Sequence, residues 1–215
     1  MNPAVSLMMV FKRQMSWQKM GYYWIAQFAA ALLASATLWG CVSGAVGAPV
    51  GGIGEGLITR PPLNLGATTL DPILSTGNGF LFEFMGSMIF FFVIAQTALD
   101  KNGIANSMFP AIPIGFSLVA VHCFLIPFTG CGVNPARTFG PSMVTCMAGT
   151  CNEVVQSSYW IYYIAPFLAS YVVAEVTEWM TMDLESEDEA ADLPDKPTEE
   201  TNKEPEKAAE ETADV

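Results

Sequence analysis

Four stretches of the chain run for about the thickness of a hydrocarbon core with few polar interruptions. Tyr22 to Val42 is 21 residues long and uncharged, Phe80 to Leu99 carries one charge (Glu83), Pro110 to Phe128 carries His122 and no formal charge, and a fourth runs from Tyr159 to about Met180. Each is predicted to be a membrane-spanning helix. Tyr22, Tyr23 and Trp24 open the first, and Tyr159, Trp160, Tyr162 and Tyr163 open the fourth, where interfacial aromatics anchor a span. Two shorter apolar stretches, Asn2 to Leu7 and Asn134 to Phe139, begin alike. In each, Asn takes the N-cap and Pro the first helical position, where its missing N–H is not needed. The apolar run lasts about ten positions, half a membrane thickness, so half-helices are expected over about 2–12 and 134–144.

These segments repeat. Tyr23-Trp24-Ile25-Ala26-Gln27-Phe28 follows the first motif much as Tyr162-Tyr163-Ile164-Ala165-Pro166-Phe167 follows the second. An odd number of spans per copy inverts one copy relative to the other, and inverted repeats with broken helices meeting near the midplane are a plan of transporters and channels. Non-helical backbone at that depth lines a water-filled cavity or is buried by protein. A pore is the reading taken here.

Charge sharpens this picture. The 215 residues are 52% apolar by type and 14% charged, with a net charge of −12. Residues 1–182 hold 7 acids and 6 bases, net −1, and the last 33 hold 14 acids and 3 lysines, net −11. A body with so few charges cannot clothe a soluble globule, whereas a bilayer does not require it to. The expected organisation is an all-α membrane domain over 1–182 and a disordered acidic tail over 183–215, where large apolar residues nearly vanish. Lys12, Arg13 and Lys19 precede the first span and Lys101 lies between the second and third, while the connections 43–79 and 145–158 hold only Arg60. Positive-inside bias places the N-terminal segment and the tail in the cytoplasm. Nucleic acid is excluded as a partner because no basic face exists to neutralise phosphates. Five cysteines without metal-ligand spacing and a single histidine leave no metal site, cofactor or enzyme chemistry to expect. Cys146 and Cys151 fall in the expected outer loop, where a disulfide and two free thiols both stay open.

The paired Asn-Pro-Ala motifs, with Thr129-Gly130-Cys131-Gly132-Val133-Asn134-Pro135-Ala136-Arg137-Thr138-Phe139-Gly140-Pro141 around the second, resemble the aquaporin, or major intrinsic protein, family over residues 1 to about 182. The resemblance implies an aquaporin-like inverted repeat with two re-entrant half-helices, a homotetramer in the lipid bilayer of a plasma or vacuolar-type membrane, and water as permeant. It places Asn2 and Asn134 at the midplane as donors to the permeant, and Arg137 and His122 at an outer constriction. The carbonyls of Gly130, Cys131, Gly132 and Val133 would line the path, with Cys131 at the mercury-sensitive position. Pro3, Ala4, Pro135, Ala136, Gln27 and Glu83 would give support, Glu83 by accepting hydrogen bonds from the re-entrant backbone.

Glycerol-conducting relatives place Asp after the motif Arg and a small residue at the histidine position. Thr138 and His122 therefore favour water. The family has two spans before its first motif, which here directly follows Met1. A fragment or an internally started gene product is expected, lacking the aromatic that completes the constriction. Passage of glycerol or other small neutral solutes, and a non-conducting subunit that co-assembles with full-length channels, are the alternatives.

Overall fold

A computed structural model of the chain describes residues 1–43, 65–99, 109–147, 151 and 155–191. The expectations for Arg60, Lys101 and residues 192–215 lie outside the described residues. Six α-helices follow in order: α1 (Pro3–Phe11), α2 (Trp17–Ser43), α3 (Thr76–Ile94), α4 (Ala111–Thr129), α5 (Pro135–Met147) and α6 (Ile161–Ala191). A π-helical turn, Ala95–Leu99, continues α3.

The boundaries follow from local chemistry. The Asn2 side chain caps α1 by accepting from the Ala4 N–H, with Pro3 in the first turn. The Ser75 side chain caps α3 by accepting from the Asn78 N–H. α4 stops at Gly130, whose φ of 73° is the left-handed conformation that glycine adopts without a Cβ penalty.

By length and composition, Trp17–Cys41, Thr76–Leu99 and Ala111–Thr129 are apolar enough to cross a membrane. The expected fourth span lies in α6, which is not among them because Glu175, Glu178 and the acidic residues beyond dilute its hydropathy. One face of α6 is covered by protein, with Ile161, Ala165, Ala169 and Val173 fully buried, while Ile164, Leu168, Tyr171, Val176 and Trp179 stay exposed. α6 runs on to Ala191, nine residues into the stretch expected as the acidic tail. Leu, Glu and Ala are good helix formers, and extending an established helix avoids the cost of nucleation.

The packing crosses between the repeats. Half-helix α1 packs on α6, the helix after the second motif, and α5 packs on α2, the helix after the first. α3 packs between α4 and α6. Trp24 of α2 stacks on Phe167 of α6 with ring centroids 5.2 Å apart, and Phe28 of α2 meets Phe139 of α5 edge-on at 5.2 Å. Two glycines permit the closest approaches. A Cβ at Gly140 would lie 2.4 Å from the Ala31 carbonyl oxygen, and one at Gly86 would lie 2.4 Å from Leu125 Cδ1. A disulfide joins Cys146 and Cys151, deciding between the two states left open for that pair.

Candidate functional site

The two half-helix N-termini meet and are tied reciprocally. Asn2 Nδ2 donates to the Val133 carbonyl at 2.8 Å, and Asn134 Nδ2 donates to the Met1 carbonyl at 2.9 Å. Each asparagine thus bonds the residue immediately before its counterpart. Each Oδ1 meanwhile caps its own helix, Asn2 accepting from Ala4 N–H at 2.9 Å and Asn134 from Ala136 and Arg137 N–H at 3.1 and 3.2 Å. A carboxamide has two N–H donors. One on each side chain is used in the tie, and the second remains for another oxygen. Pro3, Ala4, Pro135 and Ala136 are buried where the two helices abut.

Glu83 organises the backbone entering α5. Its carboxylate is fully buried, with Oε1 accepting from Thr129 Oγ1 at 2.5 Å and from Gly132 N–H at 2.8 Å, and Oε2 accepting from Val133 N–H at 2.8 Å. Tyr162 O–H donates to the Thr129 carbonyl at 2.8 Å. Between these clamps the chain takes φ values of 73° at Gly130, 57° at Cys131 and 39° at Val133. For the two non-glycine residues such backbone costs about 1–3 kcal/mol each, and it persists because the carboxylate determines it from the side. A Cβ at Gly132 would lie 2.6 Å from Tyr162 Cδ1 and 2.9 Å from Glu83 Oε2, so only glycine lets the carboxylate come so close.

Of the four carbonyls expected along a path, two have protein donors: Val133 accepts from Asn2, and Gly130 accepts from Arg137 Nη2 at 3.4 Å. Among the described residues no donor reaches the Cys131 and Gly132 carbonyls. Cys131 is fully buried, in the apolar cluster that also holds Val121 and Leu125.

Arg137 also donates from Nη1 to the Gly66 carbonyl, and it lines a cavity of about 410 Å³ with Gly66, Thr69, Asp71, Ile126, Pro127 and Gly130 among its walls. His122 lines a neighbouring cavity of about 400 Å³, sharing Ile126 and Pro127 with the first. The two residues expected to form one constriction therefore stand on adjoining cavities. His122 Nδ1 lies 2.9 Å from the Leu118 carbonyl. A carbonyl only accepts, so Nδ1 is the donor in this contact.

Gln27 supports α1 indirectly. Its Nε2 donates to Ser6 Oγ at 3.1 Å, and Ser6 Oγ donates to the Asn2 carbonyl at 3.2 Å. Sequence reasoning missed Thr129, the hydroxyl of Tyr162, the Gly66 carbonyl and the contact between Thr68 Oγ1 and Thr138 Oγ1 at 3.2 Å. Thr129 opens the 13-residue block and was the one signal available. Among the described residues no three His, Cys, Asp or Glu side chains gather to hold a metal ion.

A family model described as Major intrinsic protein matches residues 1–176. Aquaporin-4 of Mus musculus is 30% identical over 182 residues, covering 83% of this chain and 48% of its own. Aquaporin-1 of Bos taurus is 29% identical over 181 residues, covering 84% and 58%, and the lens fiber major intrinsic protein of Gallus gallus is 29% identical over 178 residues, covering 82% and 58%. The chain spans about half the length of the curated relatives it matches. The X-ray structure of the aquaglyceroporin from Plasmodium falciparum shares the fold with a TM-score of 0.66 at 19% identity, over 81% of this chain and 69% of that one. Tied half-helices, a buried carboxylate under the entering backbone and a family match over residues 1–176 lead to one conclusion: the chain belongs to the major intrinsic protein family, that of the aquaporins.

Proposed function

We propose that the protein is a passive membrane channel for water, built from 1–182 as the channel domain with an acidic cytoplasmic tail after it. The observation that carries this reading is the reciprocal asparagine tie. It fixes two carboxamides at the junction of two half-helix N-termini, each with one N–H still to donate. A water passing between them accepts from both, so its own protons point away from the junction and the hydrogen-bonded file is broken at that point. The positive ends of two helix dipoles add a field that repels hydronium and other cations. Arg137 adds a fixed cation, and the His122 ring a polar partner, on the outer side. Supporting the pore reading, the irregular backbone at 130–133 is either clamped by Glu83 and Asn2 or has carbonyls that no donor reaches among the described residues.

The protein is read as a multi-pass protein of a plasma or vacuolar-type membrane and as a homotetramer, with water its permeant and lipid its surroundings. Stopped-flow shrinkage of vesicles carrying it tests the reading. Osmotic permeability well above empty vesicles, reduced when Arg137 or His122 is replaced, is expected; permeability equal to empty vesicles sinks it. One observation favours a second reading, passage of small neutral solutes such as glycerol. Arg137 and His122 line adjoining cavities of about 410 and 400 Å³ rather than one narrow gate. Radiolabelled glycerol uptake at a rate comparable to water flux would replace the water reading with that one.

A further inference from the structure

Half-helix α1 is held by side chains of α2 at two carbonyls of its first turn. Trp24 Nε1 donates to the Pro3 carbonyl at 3.0 Å, and Gln27 reaches the Asn2 carbonyl through Ser6. Trp24 and Gln27 are three residues apart and so share one face of α2. The Pro3 carbonyl already belongs to the helical ladder of α1, and its second lone pair takes the indole N–H. That bond is therefore not needed to satisfy the carbonyl, and its effect is on position. The second repeat has no counterpart at these two places. The residues aligned with Trp24 and Gln27 are Tyr163, whose O–H donates to the Tyr159 hydroxyl at 2.8 Å, and Pro166, which has no side-chain donor.

The indole is in turn fixed by the second repeat, its ring stacking on Phe167 of α6 with centroids 5.2 Å apart and planes 28° from parallel. Pro3 follows Asn2, whose Nδ2 donates to the Val133 carbonyl at 2.8 Å. The start of α1 is thus joined to the second repeat on two sides, by the tie to Val133 and by Trp24 seated on Phe167. Apolar packing along α1 resists separation but is not directional, whereas these two contacts fix the rotation of the first turn. A swing of about 1 Å at Asn2 takes the 2.8 Å bond past hydrogen-bonding reach. We propose that Trp24 is a positioning residue for Asn2: through the Pro3 carbonyl and the Phe167 ring it holds the Asn2 carboxamide where its remaining N–H meets the permeant. The permeation part of this inference rests on the channel reading; the positional part does not.

Hydrogen exchange of the Asn2 side-chain amide reads that position directly, by NMR on the detergent-solubilised protein with isotopically labelled asparagine. The Asn2 signal is the one lost in Asn2→Ser. Trp24→Phe keeps a ring for Phe167 and removes the N–H; should it fail to fold, benzothienylalanine at position 24 keeps the bicyclic shape and lacks only the N–H. Exchange at Asn2 is expected to quicken by roughly 2- to 10-fold in either variant, the population change that one net hydrogen bond supplies. Trp39→Phe, at an exposed tryptophan of the same helix, should leave it as in the wild type. Unchanged exchange at Asn2 overturns the proposal. So does quickening by the same factor across the backbone amides of α2, which marks general loosening rather than a displaced carboxamide.

Proton leak supplies the transport readout. A tie that opens seldom changes mean water flux little, whereas protons cross only while Asn2 is displaced from the file, so their leak scales with the open population. In vesicles under a pH gradient, leak above that of empty vesicles should rise in Trp24→Phe by the same factor as the exchange. Faster exchange with an unchanged leak overturns the link to permeation. Vesicles in which the wild type conducts no water refute the channel reading, while exchange at Asn2 still decides the role of Trp24.

Discussion

Gly140 is where α5 lies closest to the backbone of α2, and Gly140→Ala perturbs that contact with a single methyl group. The new Cβ would stand 2.4 Å from the Ala31 carbonyl oxygen, 2.6 Å from its carbonyl carbon and 2.9 Å from its Cβ. Comfortable contact begins near 3.5 Å, so the helices must separate by about 1 Å. The obstacle is backbone rather than a side chain that can swing aside, and overpacking of this kind costs about 1–3 kcal/mol. Alanine also gains about 0.5–1 kcal/mol over glycine inside a helix, which masks part of that cost. Gly21→Ala in α2 and Gly115→Ala in α4 isolate it, because nothing lies within 4 Å of a Cβ at either position. The difference between Gly140→Ala and these controls is the strain alone, about 2–12 °C in melting temperature for a domain of this size. Thermal unfolding of the purified variants in one detergent, followed by tryptophan fluorescence, supplies the numbers. A shift of α5 by 1 Å also takes Asn134 Nδ2 from 2.9 Å to beyond hydrogen-bonding reach of the Met1 carbonyl, so water flux should fall with stability. If Gly140→Ala melts together with Gly21→Ala, the close approach is not a constraint and the reasoning fails.

Three other outcomes are expected. Glu83→Gln keeps an oxygen for two of the three donors but turns an amide toward the Val133 N–H, costing about 1.5–3 kcal/mol or about 3–12 °C in the same melting experiment; an unchanged melting temperature contradicts the clamp. Tyr162→Phe leaves the buried Thr129 carbonyl without its O–H donor, so a loss of about 1–3 kcal/mol is expected, and a neutral result by chemical denaturation would show that the bond is not needed. Non-reducing peptide mapping by mass spectrometry should recover Cys146 linked to Cys151 while Cys41, Cys123 and Cys131 react with a thiol reagent after denaturation; recovery of Cys146 as a free thiol refutes the pairing.

The half-helices were legible because Asn and Pro act locally: the cap and the first turn need only residues within three positions. Glu83 was legible as an isolated charge in an apolar run, and the resemblance supplied its partners. The conformation it holds was not legible. Cys131 and Val133 take positive φ against their intrinsic preference, and only contacts from α3 reveal why. Helix α6 mixes two signals: its small residues serve helix packing, and its glutamates lower the hydropathy of a segment that opens with aromatics. That the helix runs on to Ala191 depends on its continuity with the packed segment before it, which composition does not report. The tie between Asn2 and Val133 joins residues 131 positions apart, a separation at which periodicity and spacing carry no information.

That separation also sets a clock. At about 5–20 residues per second, roughly 7–26 s of synthesis pass between Asn2 and Val133 leaving the ribosome. Throughout that interval α1 has its own cap but neither the carbonyl that Asn2 bonds nor the helix α6 that covers its apolar face. The first repeat must wait until the second repeat arrives to close it. Anything that pauses translation between the two motifs prolongs the time that an unfinished half-helix spends exposed to lipid and to quality control.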